Sequence, residues 1–166
     1  MATTLEAPGA RLRASWARLA RLPGGRWLFS RLLGFRVPYT GSIRPRVLEF
    51  GEGRVRVRLR DRRRVRNHLG SVHAIALANL GELASGLALI EGLDADTRAI
   101  LVGIDVRYHK KARGSLIAEA RCEPAPVSGD VDRAVAASIY DAEGDVVATV
   151  EALWRLSARR TPAGAA

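Results

Sequence analysis

From Arg54 to Arg60 the chain alternates strictly, with Val55, Val57 and Leu59 facing one way and Arg54, Arg56, Arg58 and Arg60 the other. A period of two marks a half-buried strand. Gly51-Glu52-Gly53 supplies a hairpin turn to a partner strand that begins near Arg44. The outer face of this pair is a row of guanidinium groups, which by position alone reads as a solvated sheet surface. Four more strand-like runs follow in the second half: Ala99 to His109, Ser115 to Cys122, Arg133 to Tyr140 and Val146 to Leu156. Gly114, the segment Pro124 to Gly129, and Ala142-Glu143-Gly144-Asp145 mark the joints between them.

Between the two groups of strands lies Ala74 to Ile90, apolar nearly all round and too long for a strand, so it is expected to be a helix. Near the N-terminus, Leu12, Trp16 and Leu19 are spaced i, i+4, i+7, with arginines mostly on the other faces. That spacing predicts an amphipathic helix ended by Pro23-Gly24-Gly25, and a second short apolar helix follows from Trp27 to Leu33. A helix apolar on nearly every side must be covered on nearly every side. A curled antiparallel sheet of about six strands can do this, and no βαβ alternation is present. The expected class is α+β. The organisation is an N-terminal tail with amphipathic helices over 1–35, one sheet-and-helix domain over 40–158, and a disordered tail over 159–166. Residues 1 to 8 are also expected to be disordered.

The 166 residues suffice for one core without a metal or disulfide staple. Cys122 is the lone cysteine and the histidines are His68, His73 and His109, a set without metal-ligand spacing, so no metal is expected. A single unpaired cysteine, read as a small buried hydrophobe, fits a reducing cytoplasm. The formal net charge of +10 comes almost wholly from arginine and favours anionic partners. Scattered arginines, few aromatics and no recognisable DNA- or RNA-binding motif argue against nucleic acid. The basic N-terminal helix, with Trp and Leu on one face, could make peripheral membrane contact, or it could pack across the sheet edge. Ala74 to Ile90 is too short, and too centred on a glutamate, to be read as a membrane span.

That glutamate, Glu82, is the only charged residue between Ala74 and Ile90. Burying it costs free energy unless something uses or pairs it. Asn79, Glu82 and Ser85 recur every three residues, so they form one polar stripe, a candidate wall of a site. The helix is entered through the polar turn Asn67-His68-Leu69-Gly70-Ser71-Val72-His73.

A central helix wrapped by an antiparallel sheet, with Gly70-Ser71-Val72-His73 at its entry and Glu82 nine residues after His73, resembles the hotdog fold of acyl-CoA thioesterases and dehydratases. The spacing is similar to the phenylacetyl-CoA and 4-hydroxybenzoyl-CoA thioesterase-like branches. There the acid is catalytic, an amide side chain lies about fifteen residues before it, where Asn67 stands, and a backbone donor lies eight before it, at Ala74. Arg66-Asn67 and Tyr108-His109-Lys110-Lys111-Ala112-Arg113-Gly114 resemble the motifs of a further thioesterase-like hotdog branch. The likeness spans residues from about 43 to 157. One departure is that His73-Ala74-Ile75 stands where the thioesterase pattern usually reads His-Gly-Gly.

The chemistry of these residues suits thioester hydrolysis. The Ala74 N–H falls in the first helical turn, where amides lack intrahelical partners, and could hold an oxyanion. Glu82, its pKa raised by burial, could activate water or attack the carbonyl, and Asn67 could orient either. His73 is expected to be structural, donating to backbone, and His68 exposed. Eight helical residues separate Ala74 and Glu82 by about 12 Å, too far to act on one carbonyl. The resemblance implies a homodimer, or a tetramer built from it, in which the entry of one subunit meets the acid of the other. Arg62-Arg63-Arg64 and Lys110, Lys111 and Arg113 are cationic clusters, and Arg64 with Lys110, Lys111 and Arg113 are the expected contacts to coenzyme A phosphates. Coenzyme A enters as part of the substrate, acyl-CoA or an acyl-carrier thioester, and no separate cofactor is expected. The rivals are a hotdog protein that binds acyl thioesters without hydrolysis or hydrates and dehydrates them, and a basic module binding lipid or nucleic acid.

Overall fold

The computed structural model describes residues 8–94, 96–127 and 129–158. The expected tails before Pro8 and after Ala158 lie outside them. Three helices open the chain: α1 (Pro8–Leu19), α2 (Gly25–Arg36) and α3 (Pro38–Ser42). The hairpin β1 (Arg46–Gly51) and β2 (Arg54–Leu59) leads through a 3-10 turn, Arg63–Val65, to the long helix α4 (Ala74–Glu91). The strands β3 (Thr97–Tyr108), β4 (Leu116–Arg121), β5 (Val131–Tyr140) and β6 (Val146–Ala158) complete the order. All six strands form one antiparallel sheet in the order β1-β2-β4-β5-β6-β3.

The inward residues of the hairpin behave as their alternation predicts: Val55, Val57 and Leu59 are fully buried. They meet Leu77, Leu80, Ala84, Leu87 and Ala88 of α4 in the main core. The facing strands offer small residues, Ala118, Ala120, Ala137 and Ala148, so the helix sits close to the sheet. Closeness is tightest at Gly81, where an added Cβ would collide with the Val150 side chain. Each large apolar side chain buried this way is worth about 1.5–3 kcal/mol. The helix, at 18 residues, is by length and composition long and apolar enough to cross a membrane, against the expectation that it is too short, and the seam explains why it lies inside the protein.

The two sheet edges differ. Along β1, α2 covers the open ladder, and the Val47 N–H donates to Ser30 Oγ at 2.9 Å. Along β3 no further element pairs among the described residues, and Ile100, Val102, Ile104 and Tyr108 are exposed. A bulge between Leu101 and Gly103 interrupts the pairing of β3 with β6.

The N-terminal helices follow one of the two expected courses. Leu12, Trp16 and Leu19 pack against the core beside the sheet edge. Trp16 sits edge-on to Phe29 at 5.1 Å and to Phe50 at 6.4 Å. The amphipathic pattern was correctly read, but a second apolar surface within the protein, built by α2 and β1, satisfies it. The helix α2 runs longer than expected. The short α3 was missed because Pro38-Tyr39-Thr40-Gly41-Ser42 carries turn residues and no apolar period.

Candidate active site

Glu82 sits midway along α4, in the wall of a half-open cavity of about 840 Å³ lined by residues of α1, α2, α3, α4 and β6. The lining is mostly apolar: Leu12, Phe29, Leu33, Leu83, Leu87 and Trp154 are among it, with Arg11 and Arg36 as the other charged residues. Burial raises the Glu82 pKa above the usual glutamate value, and among the described residues no hydrogen bond or ion pair holds the carboxylate. The carboxylate is therefore half-buried and uncommitted.

Nine residues further on, at the end of the same helix, Glu91 shows the alternative. It is buried, its Oε2 accepts from the Gly53 N–H at 2.9 Å, and Arg13 reaches its Oε1 at 3.4 Å. Arg13 also donates to the Glu91 carbonyl. Glu91 thus ties α1, the β1–β2 turn and α4 together, a structural use of a buried acid. Glu82 has no such employment.

The expected polar stripe divides. Asn79 Nδ2 donates to the Tyr39 carbonyl at 3.3 Å, tethering α3 to α4. Ser85 Oγ donates back to the Glu82 carbonyl at 3.0 Å and is fully buried. Of the three, Glu82 alone lines the cavity. Period three placed them on one side, but α3 and the helix backbone take up the other two.

At the helix entry, Asn67 Oδ1 accepts from the N–H groups of Leu69 and Ser71, closing the turn, and Gly70 takes the left-handed conformation at φ 70 that the turn needs. His73 is the N-cap of α4, and its Nδ1 accepts from the Ile75 N–H at 3.1 Å. This corrects the expectation that His73 donates to backbone: at a helix N-terminus the unsatisfied groups are donors, so a capping side chain must accept. His73 is exposed, as is His68. The Ala74 N–H, first in the helix, has no partner among the described residues. Ile75 is exposed. Tyr108 Oη donates to the Ala74 carbonyl at 3.2 Å, and the Val72 N–H donates to the Ala112 carbonyl at 2.8 Å. The two motif segments, Arg66 to His73 and Tyr108 to Gly114, therefore lie side by side. Asp61 adds a clamp, accepting from Arg66 Nε and the Gly114 N–H. Tyr108 was legible in the sequence only as a motif letter; its contact to the helix entry is a tertiary fact.

Within one chain the entry group, Asn67, His73 and Ala74, does not line the cavity that holds Glu82. The cationic clusters separate too. Lys110 is committed to Asp141 at 2.6 Å and Asp145 at 2.7 Å, bracing the β5–β6 turn, which raises its pKa and lowers that of Asp141. These ion pairs compete with the expected phosphate contact, and the acids that make them lie 31 and 35 residues away in sequence. Lys111 and Arg113 are exposed beside it. Arg64 lies elsewhere, in the wall of a second cavity.

Fold and site together define a thioesterase-like hotdog protein: an antiparallel sheet curled around one apolar helix, with a lone acid midway and an open amide at the entry. A family model described as Domain of unknown function (DUF4442) matches residues 25–156, and the chain belongs to that family. It is 30% identical to a protein of known crystal structure from structural genomics, covering 89% of this chain and 97% of that one, with a TM-score of 0.74. A Pseudomonas aeruginosa protein of unknown function, described as a probable thioesterase, is 25% identical, with 83% and 97% coverage and a TM-score of 0.72. A thioesterase family protein from Silicibacter pomeroyi shares the fold at 19% identity, with 78% and 96% coverage and a TM-score of 0.66. No curated protein matches the sequence.

Proposed function

We propose that the protein hydrolyses acyl thioesters, with Glu82 as general base or nucleophile and the Ala74 N–H as oxyanion donor. The observation that carries this reading is the uncommitted, half-buried Glu82 carboxylate in the wall of a largely apolar cavity. As base, Glu82 takes a proton from water while the water oxygen attacks the thioester carbonyl. The C–S bond breaks, and the proton passes to the departing thiolate. A raised carboxylate pKa brings the base nearer neutrality, where proton transfer is most effective. The oxyanion formed at the carbonyl needs a donor already in place, and an open first-turn amide is one.

The working unit in this proposal is a homodimer. Ala74 and Glu82 are about 12 Å apart along one helix, so a second subunit must supply one of them to each carbonyl. The β3 edge, unpaired among the described residues and with Ile100, Val102 and Ile104 exposed, supports that assembly. Acyl-CoA or an acyl-carrier thioester is the proposed substrate. Screening acyl-CoAs of different chain length and aromaticity, with thiol release as the readout, tests the reading. Binding without thiol release across the panel would replace hydrolysis with acyl binding.

A further inference from the structure

The second cavity, also about 840 Å³, is lined by seven arginines and no carboxylate. Arg31 comes from α2; Arg44 from the link between α3 and β1; Arg46 from the start of β1; Arg58 from the end of β2; Arg60, Arg62 and Arg64 from the segment beyond it. Its floor follows from the β1–β2–β4 register. One residue pair back along β2, Arg56 lies between Glu49 of β1 and Glu119 of β4 and bonds both, at 2.8 and 2.7 Å. Arg58 lies between Arg46 and Ile117. Like charges directly opposite across a ladder are destabilising. Arg46 Nε, Arg58 Nε and Arg62 Nε are buried without a hydrogen-bond partner; Arg54 Nε, outside the basin, is too, but that guanidinium has Glu49 and Glu119 within 4 Å. Burial, with Arg60 and Arg46 nearby, pushes the Arg58 pKa down; burial, with Arg44, Arg60 and Arg64, does the same at Arg62. Arg44 holds a left-handed backbone at φ 48, which a side chain other than Gly tolerates at a cost. Arg62 Nη2 donates to the Ile43 carbonyl at 2.6 Å, fixing one guanidinium at the rim. The arrangement concentrates positive charge, strains the backbone and leaves buried donors open, all on one concave wall.

We infer that this arginine basin is a binding site for a diphosphate or a pair of closely spaced phosphate groups. Guanidinium forks match phosphate oxygens in geometry, and seven in the lining of one cavity exceed what a single phosphate requires. Exposed Trp27 and Phe35 stand in the same wall and suit a flat base carried next to the phosphates. The carrier is either a soluble nucleotide or a lipid headgroup, and the chemistry recognised is the same. The site stands independently of hydrolysis at Glu82.

The test is calorimetric titration of the full chain with pyrophosphate and with ADP at about 0.15 M ionic strength, beside co-sedimentation with phosphatidylcholine vesicles containing a phosphoinositide. Saturable pyrophosphate binding is expected, with a raised melting temperature by linkage. ADP binding identifies a soluble carrier; vesicle binding that pyrophosphate displaces identifies a lipid one. Arg58→Gln with Arg60→Gln should weaken pyrophosphate binding by on the order of 100-fold, since each charge-assisted bond is worth about tenfold or more. Arg54→Gln with Arg56→Gln removes the same charge from the neutralised end of the strand and should leave binding within about threefold. The melting temperatures should move oppositely, because the first pair relieves repulsion and the second breaks ion pairs. Arg44→Gly, which relieves the left-handed strain, should also weaken binding without loss of stability. Absence of saturable pyrophosphate binding, or equal weakening by both double variants, would overturn the proposal in favour of general positive charge.

Discussion

Two cavities of equal volume, about 840 Å³ each, are lined by different stripes of α2 and built on opposite principles. Trp27, Arg31 and Gly34 face the arginine basin, Phe29, Leu32 and Leu33 face the Glu82 cavity, and Phe35 belongs to both. One cavity is mostly apolar, with a single acid that forms no ion pair among the described residues, although Arg11 and Arg36 also line it. The other is cationic with no acid at all. In each, uncompensated charge is retained at a cost to the fold, and the cost differs in kind: desolvation at Glu82, mutual repulsion among the arginines. A protein selected for stability alone would have paired both, as it pairs Glu91 with Arg13 and Arg56 with Glu49 and Glu119. The difference teaches that the two cavities are suited to two chemically distinct parts of ligands, one apolar and reactive, one anionic.

Glu82→Gln is the sharpest way to break this comparison. It should lower thioester turnover by about 10² to 10⁴, the worth of general base catalysis, while pyrophosphate binding to the arginine basin stays unchanged. Stability should hold or rise at neutral pH, because Gln removes a charge that burial disfavours. Lost pyrophosphate binding, or a large fall in melting temperature, would show that the two cavities are not separable or that Glu82 is structural.

Trp16→Ala comes next. It removes the ring packed on Phe29 and Phe50 and should cost about 2–4 kcal/mol in denaturant unfolding. Weakened vesicle binding with unchanged stability would instead return that face to a membrane. Gly41→Ala probes the wall shared by α2 and α3, where an added Cβ would collide with the Gly34 carbonyl. Backbone cannot yield as a side chain does, so a loss of about 1–3 kcal/mol is expected, and ligands of both cavities should bind more weakly.

The pH dependence separates the acids by sign. Glu82 has a raised pKa, so kcat/KM should climb with pH through a value above that of an ordinary glutamate, and this limb should vanish in Glu82→Gln. The stability advantage of Glu82→Gln should disappear below about pH 4, where folded and unfolded chains are both protonated. Asp61 and Asp141 are depressed, chiefly by hydrogen bonds from Arg66 and Lys110. Their contribution is therefore present above the ordinary aspartate value and lost as pH falls through their folded values. Unfolding midpoints measured from pH 2 to 8 give the signs. The smallest effect is expected at Lys110→Ala, which should loosen the β5–β6 turn and leave KM for acyl-CoA within twofold, against the sequence expectation that Lys110 holds phosphate.

Alternation, turn glycines and one long apolar run were sufficient to read β1 to β6, α4 and the lone acid, because each depends on neighbours within a few residues. Val55, Val57 and Leu59 are buried wherever that strand is placed, and Glu82 is conspicuous in any helix of that composition. Partnership was decided elsewhere. Nothing local distinguishes Glu82 from Glu91, Arg56 from Arg58, or Lys110 from Arg64. Glu91 is neutral in effect because α1 and the hairpin turn reach it, and Lys110 because the β5–β6 turn does. Arg58 is left open because register sets Arg46 and Ile117 beside it where Arg56 finds two glutamates. Charge falls off slowly and is cancelled only by what the fold brings within a few ångströms. The sequence by itself therefore determined where the elements and the acid lie, and the tertiary structure alone decided which charges remain free to act.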